Sequence, residues 1–415
     1  MKDDMKKCFL MALAWVMVWS FSFVAQAEEV YYINGDDIYN KTDYALKDGK
    51  TTITWVKVSD NCYYDVELAD NKEFRNAQQY STNKTELTID KSAFGKNGGR
   101  FYVRIRVATQ PADENGNIYE SDWSTPAEMT IVKINKANFP GMYQVIKNGG
   151  KDVNVLTGKV EKIIFDKNKD GWLDMIELRD AYKITTVDIM KKVNGKYKLT
   201  KATDISSFKG IEYFPDLISV QVTRFSGKKA DLSKCSAEYV ELIRHTSKQL
   251  TLIAPNATRI SILEPLKDNT QIDLSKCSSV VELGVVADNT KGTKVLKLPK
   301  EKSKLKILKL SKIQLKTIDM NAYTNLQQLY LYRCEAKSVK VNKCKDLRYI
   351  YICQCNKIKS LNLKSNKKLR GADFYQSPGL TKKTVKKSKS GKYTWNKGRW
   401  WEETAAYKKD MEQFY

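Results

Sequence analysis

The sequence has 415 residues, which on length alone suits roughly two to four domains. Apolar residues make up 42% and charged residues 29%, so the composition supports folded cores and excludes global disorder. Basic residues number 72 against 48 acidic ones, and there is a single histidine, His245. Because one imidazole would have to serve every role, the sequence argues against His-rich metal sites and Ser/His/Asp or Cys/His catalysis. We therefore expect a binding protein and not an enzyme.

Residues 1–27 are expected to be a secretory signal peptide. Three lysines precede an apolar run, CFLMALAWVMVWSFSFV, and an Ala-Gln-Ala sequence ends at Ala27. An uncleaved membrane anchor is the alternative, although the run is shorter than the ~20 residues that a full span prefers. No second long apolar segment follows in the sequence. We expect an extracellular chain, secreted or associated with the cell wall or surface, with no integral membrane segment after cleavage.

Charge is distributed unevenly along the chain. Residues 28–135 contain 13 basic and 18 acidic side chains, whereas residues 136–415 contain 56 basic and 28 acidic ones. Such an asymmetry favours a polyanionic partner for the second part of the chain. Because the chain is expected outside the cell, an anionic cell-wall polymer or an acidic surface fits better than nucleic acid. Simple solubility is the alternative explanation for many of these lysines.

Residues 28–135 are predicted to form an all-β domain. Short runs rich in β-branched and aromatic residues, such as TTITWVKV, YYDVEL and FYVRIRV, alternate with segments that contain Asn, Asp and Gly. About seven strands in roughly 100 residues favour a two-sheet sandwich. Trp55, Tyr64, Tyr102 and the sequence SDWSTP at 121–126 resemble a fibronectin type III domain. The resemblance implies a spacer or docking module.

Residues 136–203 are predicted to form a small helical cap around a metal-binding loop. The segment FDKNKDGWLDMIEL contains the pattern D-x-N-x-D-G-x-x-D-x-x-E, which is the spacing of an EF-hand-type calcium loop. Alternate oxygen-bearing side chains point at one centre, the glycine allows a sharp turn, and the last carboxylate binds in a bidentate manner. A polar turn between two helices is the alternative. The expected Ca²⁺ ligands are Asp166, Asn168, Asp170, the carbonyl of Trp172, Asp174 and Glu177.

Residues 204–380 contain a repeat of about 21–22 residues. The patterns L-x-x-L-x-L and L-x-x-I-x-I begin at Leu305, Leu326 and Leu347, which are 21 residues apart. A second apolar series recurs every 20 to 24 residues between Leu232 and Leu363. This pattern is typical of leucine-rich repeats, whose units stack into a solenoid because each is too small to bury its own leucines. We predict a β-rich solenoid of about seven to eight units, with irregular early units.

The order of these segments resembles a known group of exported repeat proteins. The sequences NFPGMYQVI at 138–146 and FKGIEYFPDLISVQV at 208–222, with the acidic loop between them, resemble the cap that precedes the repeats in secreted leucine-rich repeat proteins of Gram-positive bacteria. The repeats resemble those of internalin-like proteins. The resemblance implies recognition of an extracellular protein or glycan without catalysis. The sequence lacks a Leu-Pro-x-Thr-Gly wall-sorting motif, so the mode of surface attachment is left open.

Tyrosines form the candidate ligand-binding surface. Alternation along the predicted strands directs Leu329, Leu331, Ile350 and Ile352 into the core and the intervening tyrosines outward, on the concave side. Tyrosine combines a rigid contact area with a hydroxyl, which suits a recognition surface. Cross-strand pairing that stabilises the sheet is the alternative. The candidate residues are Tyr330, Tyr332, Tyr349, Tyr351 and Tyr375.

Residues 381–415 form a basic and aromatic C-terminal segment that begins TKKTVKKSKSGKYTWNKGRWWEE. In one interpretation it caps the last repeat of the solenoid, and in the other it binds anionic wall polymers. Most cysteines after residue 27 recur once per repeat, as Cys334 and Cys355 do, which favours small buried thiols. Zinc ligation or redox chemistry at Cys353 and Cys355 is not expected, because alternation places the two thiols on opposite faces of a strand.

The sequence as a whole predicts a multidomain protein. A fibronectin type III-like sandwich is followed by an EF-hand-like cap that binds Ca²⁺ and by a leucine-rich repeat solenoid. The expected function is recognition or adhesion, through binding of a protein or glycan to the concave face of the solenoid. The alternative is a cell-wall-associated protein that holds anionic wall polymers through its basic repeats and its Lys/Trp segment.

Overall fold

The computed structural model describes most of the chain after residue 45, namely residues 46, 48–58, 62–109, 120–153, 159–193, 196–287, 291–399, 402, 404 and 408. The predicted signal peptide and the tryptophans Trp400 and Trp401 lie outside the described residues. The chain forms two compact units, the first containing residues 51–89 and 101–129, and the second containing residues 90–100, most of the chain from residue 130 onward, and residues 46–50. No helix among the described residues is long and apolar enough to cross a membrane.

The first unit is built from antiparallel strands. The strands in this part of the chain are β1 (Lys50–Thr54), β2 (Cys62–Ala69), β3 (Gln78–Thr82), β4 (Glu86–Asp90), β5 (Gly98–Thr109) and β6 (Ala127–Lys133), with a short 3-10 helix at Lys91–Phe94. Strands β1 and β4 form a two-stranded sheet, and β2 pairs with β3 on one side and β5 on the other. Trp55 and Tyr64 are buried, with their ring centroids 5.4 Å apart. The strands agree with the all-β prediction, whereas the fibronectin type III assignment stays a prediction.

The segment between residues 134 and 203 contains more strands than helices. Its elements are α1 (Tyr143–Asn148), β7 (Gly150–Val153), β8 (Val160–Ile163), β9 (Trp172–Leu173), α2 (Met175–Asp180), β10 (Lys183–Thr186), β11 (Ile189–Val193) and β12 (Lys196–Thr200). Helix α1 ends at Gly149, whose φ of 85° suits glycine, and β7 then pairs antiparallel with β8. The prediction of a helical cap is therefore wrong in its secondary structure, since the element before the acidic loop is strand β8.

The solenoid presents one long parallel sheet, to which each turn of the chain, or rung, contributes one strand. The sheet begins with β10 and continues through nine further strands in chain order. These are β13 (Ser219–Thr223), β15 (Tyr239–Ile243), β17 (Arg259–Leu263), β19 (Glu282–Val286), β21 (Ile307–Ser311), β23 (Gln328–Tyr332), β25 (Tyr349–Cys353), β27 (Gly371–Tyr375) and β29 (Lys392–Thr394).

Shorter parallel strands follow on the opposite side of the rungs. A four-stranded sheet contains β14 (Lys229–Asp231), β16 (Gln249–Ile253), β18 (Thr270–Asp273) and β20 (Thr293–Lys297). Two pairs continue the series, β22 (Thr317–Asp319) with β24 (Ser338–Lys340), and β26 (Leu361–Asn362) with β28 (Val385–Lys386). A 3-10 helix at Ile211–Tyr213 precedes the first of these rungs.

Side chains from equivalent positions stack in register to form the solenoid core. Strand pairing aligns Leu308, Leu329, Ile350 and Ala372, and all four are fully buried. The second apolar series is also buried, apart from Leu298, which is partly buried. One rung supplies only a few apolar side chains, so stacking provides the burial that an isolated unit lacks. The predicted repeat solenoid is confirmed.

Most strands of the long sheet are followed directly by a residue in the left-handed conformation, with φ between 46° and 75°. In all of these residues but Gln376, whose amide donates to Asn396 Oδ1, the backbone N–H donates to the carbonyl of the last residue in the next strand. The side chain that comes after each of them is buried. None of these residues is glycine, so stacking of the rungs must offset about 1–2 kcal/mol at each position. The residues are Arg224, Arg244, Glu264, Lys312, Arg333, Gln354 and Gln376.

The long sheet extends beyond residues 204–380 at both ends. Strand β10 lies upstream of this range and β29 lies downstream of it. Trp395 packs on the last rungs, where its indole Nε1 donates to the carbonyl of Leu380 at 3.0 Å and its ring centroid lies 5.9 Å from that of Phe374. This packing is consistent with a capping role for the start of the C-terminal segment.

Candidate functional site

The outer sheet face is the candidate recognition surface. We define it as the first, third and fifth side chains of the strands in the long sheet, which point away from the core because the second and fourth are buried in it. All five candidate tyrosines belong to this face. Tyr330 lies directly beside Tyr351, while Tyr332 and Tyr375 lie on either side of β25, the strand that begins with Tyr349.

Exposure differs sharply among these tyrosines. Tyr332, Tyr351 and Tyr375 are partly exposed, but Tyr330 is 7% exposed and Tyr349 only 2%. The expectation that all five face outward into solvent is therefore wrong for Tyr330 and Tyr349. Alternation along a strand determines the side of the sheet on which a residue lies, but not what covers that side. Burial is also the main cause that raises the pKa of Tyr351.

The chain after β29 covers the C-terminal end of the outer sheet face. Asp373, the central outward residue of β27, is 0% exposed, and burial raises the pKa of its carboxyl. Its Oδ2 accepts hydrogen bonds from the Thr394 hydroxyl at 2.5 Å and from the Lys397 amide at 3.1 Å. The amide of Gln376 donates to Asn396 Oδ1 at 2.7 Å. The segment after β29 thus turns back over β27 and buries Asp373 at this end of the face.

The open part of the outer sheet face carries an apolar column. Ile243, Leu263 and Val286 occupy the fifth position of β15, β17 and β19, where strand pairing places them side by side. All three are partly exposed. Neighbouring parallel strands lie about 4.8 Å apart, so the three side chains form a continuous strip. No sequence motif marks this strip, because the early repeats depart from the leucine pattern that reveals the later ones.

Charged side chains lie next to the apolar column. Arg244, which directly follows Ile243, pairs through its Nε with Glu264 Oε2 at 3.0 Å. On β15 the Tyr239 hydroxyl donates to Glu241 Oε2 at 2.8 Å. The mutual pairing orders these side chains around the column. The result is an apolar strip with a polar border, the arrangement found at the centre and rim of protein interfaces.

The acidic loop at 166–177 folds through its own side chains. Asp166 Oδ2 accepts from the Gly171 amide at 3.1 Å, Asn168 Oδ1 from the Asp170 amide at 3.0 Å, and Asp170 Oδ1 from the Trp172 amide at 2.7 Å. Gly171 has a φ of 82°, a conformation that glycine adopts without strain. Asp166, Asn168 and Asp170 therefore each accept a hydrogen bond from a backbone amide of the loop itself.

The end of the loop is also the start of helix α2. Asp174 is the N-cap and accepts from the Glu177 amide at 3.0 Å and the Leu46 amide at 3.2 Å. The Glu177 carboxylate accepts from the amides of Lys167 at 2.6 Å and Asp174 at 3.4 Å. Burial and the charge of Asp174 raise the pKa of Glu177 to about 7, and burial raises the pKa of Asp174. In this structure the two carboxylates therefore accept hydrogen bonds from backbone amides.

The carboxylates of the loop do not form a metal-binding group by themselves. Among the described residues, no group of three or more His, Cys, Asp or Glu side chains is arranged to hold a metal ion. Asp166 Oδ1 is nevertheless buried without a hydrogen-bond partner in the described part of the chain. A buried carboxylate oxygen without a partner is costly, and a bound cation is one way to satisfy it. The donor set of carboxylates and an amide is the type that Ca²⁺ prefers.

A cysteine or serine side chain accepts a hydrogen bond from a backbone amide of the preceding rung. The Cys334 amide donates to Cys355 Sγ at 3.3 Å, and the Cys355 amide donates to Ser377 Oγ at 3.1 Å. Every described cysteine is free and buried. Cys353 lies on the outer sheet face, whereas Cys355 belongs to the core. The interpretation of the repeat cysteines as small buried thiols agrees with these contacts.

The fold defines a protein with a parallel β-solenoid that follows an antiparallel β unit. No protein-family model and no curated protein matches the chain. Among solved structures, the functional domain of InlJ from Listeria monocytogenes, described as including a cysteine ladder, is similar, with 11% identity and a TM-score of 0.22. The match covers 64% of this chain and 71% of that one. A similarity of this size carries no argument about function.

Proposed function

We propose that this chain is an extracellular recognition protein that binds a protein ligand through the open part of its outer sheet face. The observation that carries the proposal is the apolar column of Ile243, Leu263 and Val286, which is partly exposed on a rigid sheet and bordered by paired charged side chains. Apolar side chains held in such a strip are typical of binding surfaces. A protein ligand is favoured over a glycan because two of the five candidate tyrosines, the residues best suited to stack on sugars, are buried.

Site-specific photo-crosslinking tests this proposal. A photo-reactive amino acid replaces Leu263 on the outer sheet face or, as a matched control, Val295, which is 37% exposed on β20 at the opposite side of the rungs. We expect crosslinks to a defined extracellular protein from position 263 and not from position 295. Equal crosslinking from both positions, or none from position 263, refutes recognition through this face.

Substitution then measures the contribution of the column. Leu263→Gln with Val286→Gln removes two apolar contacts without burying a charge, and we expect affinity for the crosslinked partner to fall at least tenfold. Truncation of a central apolar contact typically costs more than ~1 kcal/mol of binding free energy. Val295→Gln is the control and should bind as the parent chain does. Unchanged binding by the double variant contradicts the proposal.

We also propose that the acidic loop binds one Ca²⁺ ion with a structural role. The partnerless Asp166 Oδ1 and the three amide-to-side-chain hydrogen bonds of the loop support this proposal. Binding requires the Glu177 carboxylate to turn from the Lys167 and Asp174 amides toward the ion. Outside cells Ca²⁺ is plentiful, so a site in the ~10⁻⁴ to 10⁻³ M class would be filled. Because the ion would bind the folded loop and not the unfolded chain, it would raise the stability of the protein by mass action.

Terbium luminescence tests the calcium site, because Trp172 lies within the loop. Excitation of Trp172 should sensitise Tb³⁺ emission, Ca²⁺ should compete with it, and Glu177→Gln should abolish most of it. The control is Asp180→Asn, which removes an exposed carboxylate that pairs with Lys167 outside the ligand set. Thermal unfolding should move upward with added Ca²⁺ in the parent chain. Absent emission together with an unchanged unfolding temperature would leave the polar-turn alternative.

A further inference from the structure

A cleft of about 610 Å³ lies on the side of the last rungs opposite the long sheet. Four lysines and two serines line it, and no carboxylate does. We refer to it as the lysine cleft. Its lining residues are Lys364, Lys367, Lys387, Ser388, Lys389 and Ser390.

Two consecutive rungs hold the cleft in a fixed geometry. Strands β26 and β28 pair in register, with Leu361 beside Val385. The Ser388 hydroxyl donates to the carbonyl of Asn366 at 2.9 Å, and the Ser390 hydroxyl donates to that of Lys367 at 2.6 Å. Both serines therefore connect the second rung to the first by hydrogen bonds. Because the two rungs are held together in this way, the fold fixes the backbone positions of the lysines.

The lysines of the cleft lack acidic partners. None of Lys364, Lys367, Lys387 and Lys389 forms an ion pair within the described residues, and all four are exposed. Elsewhere on the rungs a lysine commonly faces a carboxylate of the preceding rung, and three such pairs are Lys297–Asp273, Lys340–Asp319 and Lys368–Asp346. Four uncompensated positive charges in one concave site attract anions more strongly than isolated surface lysines do.

Aromatic rings position one of these ammonium groups. Lys387 Nζ lies 5.4 Å from the ring centroid of Tyr393 and 5.2 Å from that of Trp395. Cation–π contacts of this kind hold an ammonium group without neutralising its charge. Both rings are partly buried and covered by Lys387, so they do not offer a free platform on which nucleic-acid bases could stack.

We propose that the lysine cleft binds the phosphate groups of a linear anionic polymer that lacks bases. Lysine offers a compact charge and no bidentate fork, so four lysines select for negative charge more than for the shape of a particular small molecule. Adjacent rungs are about 4.8 Å apart, and an open cleft across two of them suits an extended chain with repeating charges. This site is separate from the outer sheet face and does not depend on recognition there.

Inorganic polyphosphate is the probe. The test variant carries Lys364→Gln, Lys367→Gln, Lys387→Gln and Lys389→Gln. The matched control carries Lys229→Gln, Lys297→Gln, Lys340→Gln and Lys357→Gln, which removes the same charge from exposed lysines that pair with carboxylates. We expect the cleft variant to bind polyphosphate at least tenfold more weakly at ~50 mM salt, and the control to stay within about threefold of the parent chain.

The salt dependence supplies a second readout. Four contacts to a single-stranded polyanion should give a slope of about −2.8 in a plot of log affinity against log salt concentration, and the cleft variant should lose most of it. A triple variant that keeps Lys387 guards against a loss of packing on Trp395, and it should lose binding without a change in unfolding temperature.

Three results would overturn the proposal. They are equal losses in the cleft variant and the control, no binding of polyphosphate by the parent chain, and tighter cleft-dependent binding of oligo(dT) than of polyphosphate. The first assigns binding to bulk charge, and the last assigns the cleft to nucleic acid. Crosslinking from position 263 is unaffected by any of these outcomes, so a failure here is distinguishable from a failure of the proposed recognition function.

Discussion

Replacement of His245 should reduce the loss in the free energy of unfolding that this chain undergoes at acid pH. The imidazole is 0% exposed and follows the left-handed residue Arg244 at the end of β15. Its Nδ1 lies 3.1 Å from the carbonyl of Ser247, and its Nε2 has no partner among the described residues. His245→Asn keeps a short side chain with a donor near the carbonyl of Ser247 but removes the titrating group.

The magnitude follows from the pKa. Burial lowers the pKa of His245 from 6.5 to about 4, against the opposing effect of the hydrogen bond to Ser247. The native state therefore keeps the ring neutral, while the unfolded chain takes up a proton below pH 6.5. The contribution of the neutral His245 ring to the free energy of unfolding is fully present above that pH and is lost as the pH falls toward 4. With ~1.36 kcal/mol per pKa unit, the loss is about 2 kcal/mol by pH 5 and about 3 kcal/mol by pH 4.

The measurement is urea unfolding of the parent chain and of His245→Asn at pH 7, 5 and 4. Only the difference between the two chains is informative, because other groups titrate in this range. Glu177, for example, has a raised pKa and favours the native state as the pH falls from about 7 to 4.5. Between pH 7 and pH 4, the free energy of unfolding of the variant should fall by about 3 kcal/mol less than that of the parent chain. A difference that stays constant with pH refutes the assignment of a buried, neutral His245.

Two further predictions concern contacts between rungs. Asn366→Ala should lower the free energy of unfolding by about 2–4 kcal/mol in urea titrations, because buried Asn366 Nδ2 donates at 2.8 Å to two backbone carbonyls of the preceding rung, which would lose their partner. Cys355→Ser should cost less than about 1 kcal/mol, since Ser377 already fills the same role one rung later, whereas Cys355→Val should cost about 1–3 kcal/mol by leaving the Cys334 amide without an acceptor. Equal effects of the two Cys355 substitutions would contradict this interpretation.

The repeat could be predicted because its signal is local and periodic. Leu305, Leu326 and Leu347 differ by one rung each, and their burial in one core is what the period requires. The left-handed residues that end the strands recur with the same period but vary from Arg to Glu, Lys and Gln. Backbone geometry at these positions is imposed by stacking and not by residue type, so no sequence pattern marks them.

The tyrosine surface shows the limit of alternation. The side of the sheet was predictable for Tyr330 and Tyr349, but their burial depends on what lies over the outer sheet face. At β27 the chain returns from β29 to contact Asp373, and this contact joins residues more than 20 positions apart with no shared motif. The helical cap could not be predicted correctly for a related reason, because the acidic loop pattern does not determine the element before it, which is strand β8, and a helix forms only after the loop, at Met175–Asp180.

A repeat solenoid places equivalent residues of successive rungs next to one another. A functional site can therefore appear as a change in the residue types at equivalent positions, without a sequence motif. Asp319 is followed one rung later by Lys340, and Asp346 by Lys368, so opposite charges face each other between rungs. At the lysine cleft, four lysines line one site and none of them forms an ion pair within the described residues. Like charges gathered in one site repel one another, and such a local conflict with stability is characteristic of functional sites. Composition alone could therefore suggest a polyanionic partner, but only the register between rungs shows where the uncompensated charge is concentrated.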